Sequence, residues 1–256
     1  SSVYAFSLIL AIFIFGLAMG TVTTSNLLYR IKYLIRGFGV TQIIIGLSSL
    51  FIIPLFGRIP FVNRWIYENL GQQFHIMQGA NFITILGLLF IPTFFMGAQF
   101  PIVIKILATK LETVGQNVGR AYAFNTVGAI IGSFLGGFVL IPTLGIQATI
   151  LSMVFLNVLL GITLLALGSQ LSFNWKIYGL PGVFIFCVFF ANWIAPWDKS
   201  VISSGSFMPY RIGDLNEAEL KKNKILFFKE GIHTTVTTEL SASGNIFLRV
   251  NGKTDA

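Results

Sequence analysis

Charged residues are scarce in this chain. Only 10% of its 256 residues are Asp, Glu, Lys or Arg, whereas 55% are hydrophobic, and the mean hydropathy is +0.81. A soluble domain carries about 25% charged residues, so this composition excludes an ordinary soluble protein. The apolar residues come in blocks near the roughly 20 residues that a helix needs to cross a bilayer core of about 30 Å. The sequence therefore predicts a membrane protein.

Residues that carry familiar chemistry are also few. A single cysteine, Cys187, excludes an internal disulfide. His75 and His233 have no Cys or acidic neighbour at metal-ligand spacing, so we predict no metal site. There is no Gly-x-Ser-x-Gly elbow or Cys-His signature, and the Gly-x-Gly at 37–39 opens an apolar helix instead of following a strand. We therefore predict no catalytic residue and no cofactor fingerprint in this chain.

A cleavable signal peptide is missing too. The first twenty residues, "SSVYAFSLILAIFIFGLAMG", lack a basic leader and continue as a full span. Because the chain begins inside an apolar block, we expect that sequence upstream is missing.

Six apolar blocks are candidate spans: 4–28, 38–56, 77–104, 122–142, 146–167 and 177–195. All should be helical, because lipid offers no hydrogen-bond partner to an open backbone. The third contains Pro92 and Pro101, which predict a tilt or kink. The mixed aromatic and charged stretch at 57–77 is typical of a segment at the headgroup level.

The composition changes after Trp197. Residues 198–224 are a polar linker, with a short helix expected at 216–222 because acidic residues come early and lysines late. The tail at 225–256 alternates, and "SASGN" is the turn between two predicted strands. One strand places on a single face Ile232, Thr234, Val236, Thr238 and Leu240, and the other Ile246, Leu248 and Val250. We therefore predict an all-α polytopic bundle of about six spans at 1–197 with a small C-terminal β-hairpin, which alone would be marginal in water.

The net charge of +8 is spread between the apolar blocks, so it does not predict nucleic-acid binding. One set of loops holds Arg30, Lys32, Arg36, Lys105, Lys110, Arg120 and Lys176. The other set holds Arg58, Arg64, Lys199 and Arg211. The larger set should lie in the cytoplasm, which with six spans places the tail outside. A cytoplasmic tail would need a re-entering segment or a third span that crosses twice.

Glycine spacing marks two helix faces. Gly128, Gly132 and Gly136 recur every four residues in the fourth span, and Gly16 and Gly20 do so in the first. Such faces favour close helix packing. A ligand path between the helices is the alternative.

Three polar residues near or within the spans are Asn81, Asn125 and Gln147, and none of them is ionisable. Ion and polyamine transporters usually keep ionisable groups inside the membrane, so their absence weighs against such transport. Asn125 is better explained by hydrogen bonding between helices.

Several motifs resemble a known family when they are taken together. "MGAQFPIVIKIL" and "VGRAYAFNTVGAIIGSFLGGFVLIPTLGIQ" resemble the membrane part of bacterial proteins that fuse a major-facilitator-like region to a spermidine synthase-like domain. "DKSVISSGSFMPYR" and the tail resemble the junction and first β-hairpin of that family. The resemblance covers about residues 16–256.

The resemblance implies a polyamine aminopropyltransferase in the bacterial cytoplasmic membrane. Its co-substrate would be decarboxylated S-adenosylmethionine, and the glycine-rich cofactor loop and catalytic aspartate would follow Ala256. The tail would then be the start of an incomplete β-domain. His233 matches a strand position where relatives carry a Gln beside the cofactor, and Asn251-Gly252 matches their Asp-Gly turn. The alternative for His233 is an exposed residue on the polar strand face.

Two other functions are open at this point. The chain could be a non-catalytic accessory subunit of a membrane complex, with partner subunits or a second copy on its glycine faces. A major-facilitator-like transporter is the weaker alternative.

Overall fold

The computed structural model describes residues 2–70, 73–108, 113–167, 175–204, 223–232 and 234–254. The helices are α1 Ser2–Leu27, α2 Leu34–Phe56, α3 Ile59–Asn69, α4 Phe74–Leu107, α5 Val114–Phe134, α6 Ile141–Leu144, α7 Ile146–Leu167, α8 Leu180–Trp193 and α9 Lys199–Ile202. A 3-10 turn at Leu28–Arg30 follows α1, and π turns at Leu135–Leu140 and Trp175–Gly179 precede α6 and α8. The strands are β1 Lys224–Glu230, β2 Thr235–Leu240, β3 Ile246–Val250 and β4 Lys253–Thr254.

The predicted fold class is confirmed, with differences in detail. Within the described residues, five helical segments are long and apolar enough to span a membrane. The sixth predicted span is a shorter apolar helix, α8, of 14 residues. The third is one continuous helix of 34 residues despite its two prolines, so the alternative of two crossings is wrong. The fourth begins at Val114 and runs through a π turn into α6, so it is longer than predicted.

Backbone contact joins α1 to α4. A side chain at Gly16 would collide with Thr93, one at Gly20 with the carbonyl of Phe94, and one at Gly97 with the backbone of Leu17. Only the missing side chains allow the two helices to approach so closely. The close approach increases dispersion contact between them, which matters in lipid because the hydrophobic effect does not drive helices together there.

The pair α2 and α7 packs in the same way. A Cβ added at Gly161 would lie 2.7 Å from the Gly39 carbonyl oxygen, and one at Gly46 would lie 2.6 Å from Val158. Beside this contact lies a buried cluster of Leu50, Ile53, Val154, Val158, Cys187 and Ile194, to which α8 contributes Cys187. The cluster ties α2, α7 and α8 together.

Helix α5 meets the bundle near its start. Ala121 is buried, and the Tyr122 ring packs edge-on against Phe100 at a centroid distance of 4.6 Å. Residues 122–135 are exposed, and among the described residues nothing lies within 4 Å of a Cβ placed at Gly128, Gly132 or Gly136. Packing of these three glycines inside the bundle is therefore not seen, in contrast to Gly16 and Gly20.

The two ends of the bundle differ in charge. One end is here called the basic end. There Lys105 Nζ of α4 donates to the Leu28 carbonyl, just after α1, at 2.8 Å. Helix α2 also begins at this end, and Arg36 lies in its first turn. At the opposite end, here called the sheet end, α2 finishes and α7 begins. The amphipathic helix α3 follows α2 directly, with Arg64 and Glu68 paired one turn apart at 2.6 Å. This helix occupies the stretch that we predicted to be interfacial.

The tail forms a sheet of four strands in the order β1-β2-β3-β4 rather than a hairpin alone. All neighbours are antiparallel, and Val236 pairs with Val250 and Leu240 with Ile246. Asn251 and Gly252 make the last turn with φ values of 49° and 78°. Positive φ at both positions is what a two-residue turn requires, and Asn-Gly satisfies it at low cost.

Replacing Gly20 by Ala should destabilise the bundle, because the added methyl group meets the Phe94 backbone. Overpacking of this kind costs about 1–3 kcal/mol. Gly128→Ala is the matched control, since it adds the same methyl group in open space and gains helix propensity. Thermal unfolding in detergent, followed by tryptophan fluorescence, should show a lower midpoint for Gly20→Ala only. Equal midpoints for the parent and Gly20→Ala would contradict the packing.

Candidate functional site

The richest set of polar contacts lies at the sheet end, where the chain leaves the bundle. Trp197 is its first element. Its indole Nε1 donates to the Ile53 carbonyl oxygen at 2.8 Å, and its ring stacks on Phe56 with centroids 5.1 Å apart. Ile53 is in the last turn of α2, where carbonyl groups lack partners within the helix. The indole therefore caps α2.

Gln147 links Trp197 to the start of α7. Its Oε1 accepts from the Trp197 backbone N–H at 2.9 Å, and its Nε2 donates to the Ala195 carbonyl at 3.2 Å. The segment after α8 is thus held against both α2 and α7. Gln147, one of the polar residues noted in the sequence, therefore forms its hydrogen bonds at the edge of the bundle, in the first turn of α7.

Glu230 joins the sheet to the helices. Its Oε2 accepts from the backbone N–H of Ile146 at 2.6 Å, at the first residue of α7. Carboxylates are favoured at helix N-termini, because the first N–H groups are unpaired and the helix dipole is positive there. The preceding Gly145 has φ +82°, and a Cβ there would lie 2.7 Å from the carboxylate. Glycine is needed both for the turn and for this approach.

Glu239 is the most deeply buried charge of the sheet, with 2% of its surface exposed. Its Oε1 accepts from Arg249 Nη1 at 3.1 Å, and its Oε2 accepts from Asn223 Nδ2 at 3.3 Å. The Ser203 hydroxyl, which has one proton to share, lies 3.2 Å from Glu239 Oε1 and 2.7 Å from the Lys199 carbonyl. A buried carboxylate is tolerated only with such partners.

Arg249 extends this cluster to the turn after α9. Its Nη1 also lies 3.3 Å from the Ser203 carbonyl oxygen, and its guanidinium covers the Phe247 ring at 4.8 Å. Lys199 adds a second contact between α9 and the sheet, with Nζ 5.2 Å from the Phe228 ring centre. Helix α9 is therefore clamped to the sheet, and the sheet is clamped to α7.

The sheet turns its polar face toward the bundle. Residues that face each other across antiparallel strands share a face, so the pairing of Thr237 with Arg249 places them beside Glu239 and Phe228. The apolar face predicted from alternation lies on the other side, where Ile246 is 64% exposed. Alternation identified the two faces, but the apolar one is not the face that packs on the bundle.

The residues predicted as a site are not brought together. His233 lies outside the described residues, and the five glycines are on α1 and along the fourth span. Within the described ranges no group of three His, Cys, Asp or Glu side chains could hold a metal ion.

Sequence reasoning missed Glu230 and the Glu239–Arg249 pair. The sequence could have indicated the Glu239–Arg249 pair. If the two strands are paired across the "SASGN" turn, the alternation of side chains along each strand places Glu239 and Arg249 on the same face of the sheet.

The carboxylates in the described ranges are all occupied. Glu68 accepts from Arg64 and Asp198 from the Ser200 N–H, while Glu230 and Glu239 make the contacts above. Each carboxylate in the described part of the chain therefore already has a hydrogen-bond donor, and no two of them are shown converging on one site. The described residues do not fit a site for decarboxylated S-adenosylmethionine and a polyamine. What they form is a joint between the bundle and the sheet.

Comparison with protein-family models, with curated proteins and with solved structures finds no match to this chain.

Replacing Glu230 by Ala should loosen the start of α7. Loss of a capping side chain costs about 1 kcal/mol, which corresponds to roughly fivefold faster exchange of the Ile146 amide hydrogen. Hydrogen exchange with mass spectrometry in detergent measures it. Lys229→Ala, on the exposed side of the same strand, is the control and should leave exchange unchanged. Parent-like exchange in Glu230→Ala would show that the carboxylate does not hold the helix.

Removing one partner of the buried pair should open the sheet. Glu239→Ala leaves Arg249 without its carboxylate and should cost about 3 kcal/mol of local stability, because an unpaired buried charge is expensive. The double variant Glu239→Leu with Arg249→Leu should lose less, since both charges are gone. Amide exchange over β2 and β3 measures each loss. A double variant no more stable than Glu239→Ala would contradict the pairing.

Proposed function

We propose that this chain is the membrane anchor of a spermidine synthase-like protein, holding an extramembrane β-domain in fixed orientation at one membrane face. The observation that carries the anchoring role is the Glu230 carboxylate on the first amide of α7. It couples the sheet directly to a helix of membrane-spanning length. The aminopropyltransferase part rests on the sequence motifs and their order.

The anchoring role uses every contact at the joint. Trp197 and Gln147 fix where the chain emerges, and the Glu239–Arg249 cluster fixes α9 on the sheet. In aminopropyl transfer the protein mainly positions an amine beside a sulfonium carbon, so the orientation of domains bears on the rate. Chemistry itself is assigned to residues outside the described ranges.

Aminopropyl transfer tests the enzymatic part. We expect the protein expressed from its full gene, purified in detergent, to form spermidine and methylthioadenosine from decarboxylated S-adenosylmethionine and putrescine, as detected by mass spectrometry. S-adenosylmethionine in place of the decarboxylated form is the control and should give no product. No turnover combined with no binding of the co-substrate would refute the enzyme.

The side of the membrane is part of the same proposal. The excess of basic residues at the end opposite the sheet favours an outer location for the sheet in a bacterial cytoplasmic membrane, whereas an S-adenosyl co-substrate is expected in the cytoplasm. Labelling of a Ser243→Cys variant in intact cells by a membrane-impermeant maleimide decides between the outer and the cytoplasmic location of the sheet. Ser243 is an exposed residue of the β2–β3 turn, and the native Cys187 is buried.

A second candidate is a non-catalytic accessory subunit of a membrane complex. The uncovered glycines of the fourth span favour it, because they offer a face for a helix that the described part of this chain does not supply. The purified sample that tests catalysis also tests this candidate. A membrane subunit that co-purifies in fixed ratio, without turnover, would support it, and a chain that runs alone would not.

A further inference from the structure

A cleft opens at the basic end between α1, α2 and α4. It has a volume of about 410 Å³. Val40 of α2 and Phe94, Phe95 and Ile102 of α4 provide much of its apolar wall. Phe94 and Ile102 are eight residues apart, so the wall extends about 12 Å along α4 at the helical rise of about 1.5 Å per residue.

The mouth of the cleft is polar and positive. Arg36, in the first turn of α2, lines it together with Tyr33, and both are exposed. Ile102 lies near this mouth, since its Cδ1 is 4.0 Å from a Cβ built on Gly37, the residue next to Arg36. The deep end at Phe94 therefore points into the bilayer core, and the guanidinium lies at the headgroup level.

Three other cations at this end already have partners. Lys105 donates to the Leu28 carbonyl at 2.8 Å, Arg30 donates to the Tyr29 hydroxyl at 2.9 Å, and Lys32 lies over the Tyr33 ring. Within the described ranges Arg36 makes no hydrogen bond or ion pair. The acidic residues of those ranges lie at the sheet end, so none of them offsets the positive charge of Arg36 at the mouth.

We propose that this cleft binds an anionic phospholipid, with its phosphate on Arg36 and one acyl chain against Val40, Phe94 and Phe95. A guanidinium forms paired hydrogen bonds with phosphate oxygens, and a basic pocket between membrane helices suits an anionic headgroup. The apolar wall accepts the chain, which a free phosphate does not have. The positive charge at the mouth of the cleft and the length of its apolar wall therefore favour an anionic lipid over a free phosphate ion.

Native mass spectrometry of the purified protein tests the site. Phosphatidylglycerol should bind about tenfold more tightly than phosphatidylethanolamine with the same acyl chains. Inorganic phosphate should neither bind nor compete. Equal affinity for the two lipids would overturn the anionic site, and competition by inorganic phosphate would identify a phosphate site without a lipid.

Variants assign the binding to this cleft. Arg36→Gln should weaken phosphatidylglycerol binding about fivefold, as expected for one charge near the surface, and Arg36→Lys should retain most of the affinity. Val40→Trp should fill the cleft and reduce binding of both lipids. Arg58→Gln, an exposed arginine at the sheet end, is the matched control. Both Arg36→Gln and Val40→Trp alter exposed side chains, so thermal unfolding should be parent-like in each. Unchanged binding in both would refute the site.

Discussion

Contact between helix backbones is the constraint on which the rest of this molecule depends. In lipid, apolar side chains gain little by leaving their surroundings, so helices associate through close packing. Here α1 meets α4 at Gly16, Gly20 and Gly97, and α2 meets α7 at Gly39 and Gly161. The second contact places the end of α2 beside the start of α7. The joint at the sheet end can form only because those two ends are neighbours.

A continuous series of polar contacts then runs from the bundle to the sheet. Backbone groups at helix ends have no partners inside the helix, and the joint uses them: the indole of Trp197 takes a carbonyl of α2, and the carboxylate of Glu230 takes an amide of α7. The buried Glu239–Arg249 pair extends the series to α9. Polar contacts at this end thus orient the sheet on the bundle, whereas apolar and glycine contacts hold the helices of the bundle together.

Sequence reasoning succeeded where one physical rule dominates. Apolar length placed the spans, and the fifth span has the predicted bounds, 146–167. It failed where two rules compete. Strand β1 was missed because the register shifts between Ile225 and Phe227 and breaks the alternation. The packing face of the sheet was missed because burial usually follows apolar residues, whereas here satisfied charges are buried. The joint itself depends on contacts such as Glu230 to Ile146, 84 residues apart, which no local pattern encodes.

Trp197 has a consequence for how motion would travel through the molecule. Its indole is bonded to the end of α2, and its backbone is bonded through Gln147 to the start of α7. A change in the spacing of those two helices would have to break one of these bonds or drag the exit segment with it. The position of the exit segment is thus set by two helices at once, and α9, which follows it, takes its place from the spacing of α2 and α7.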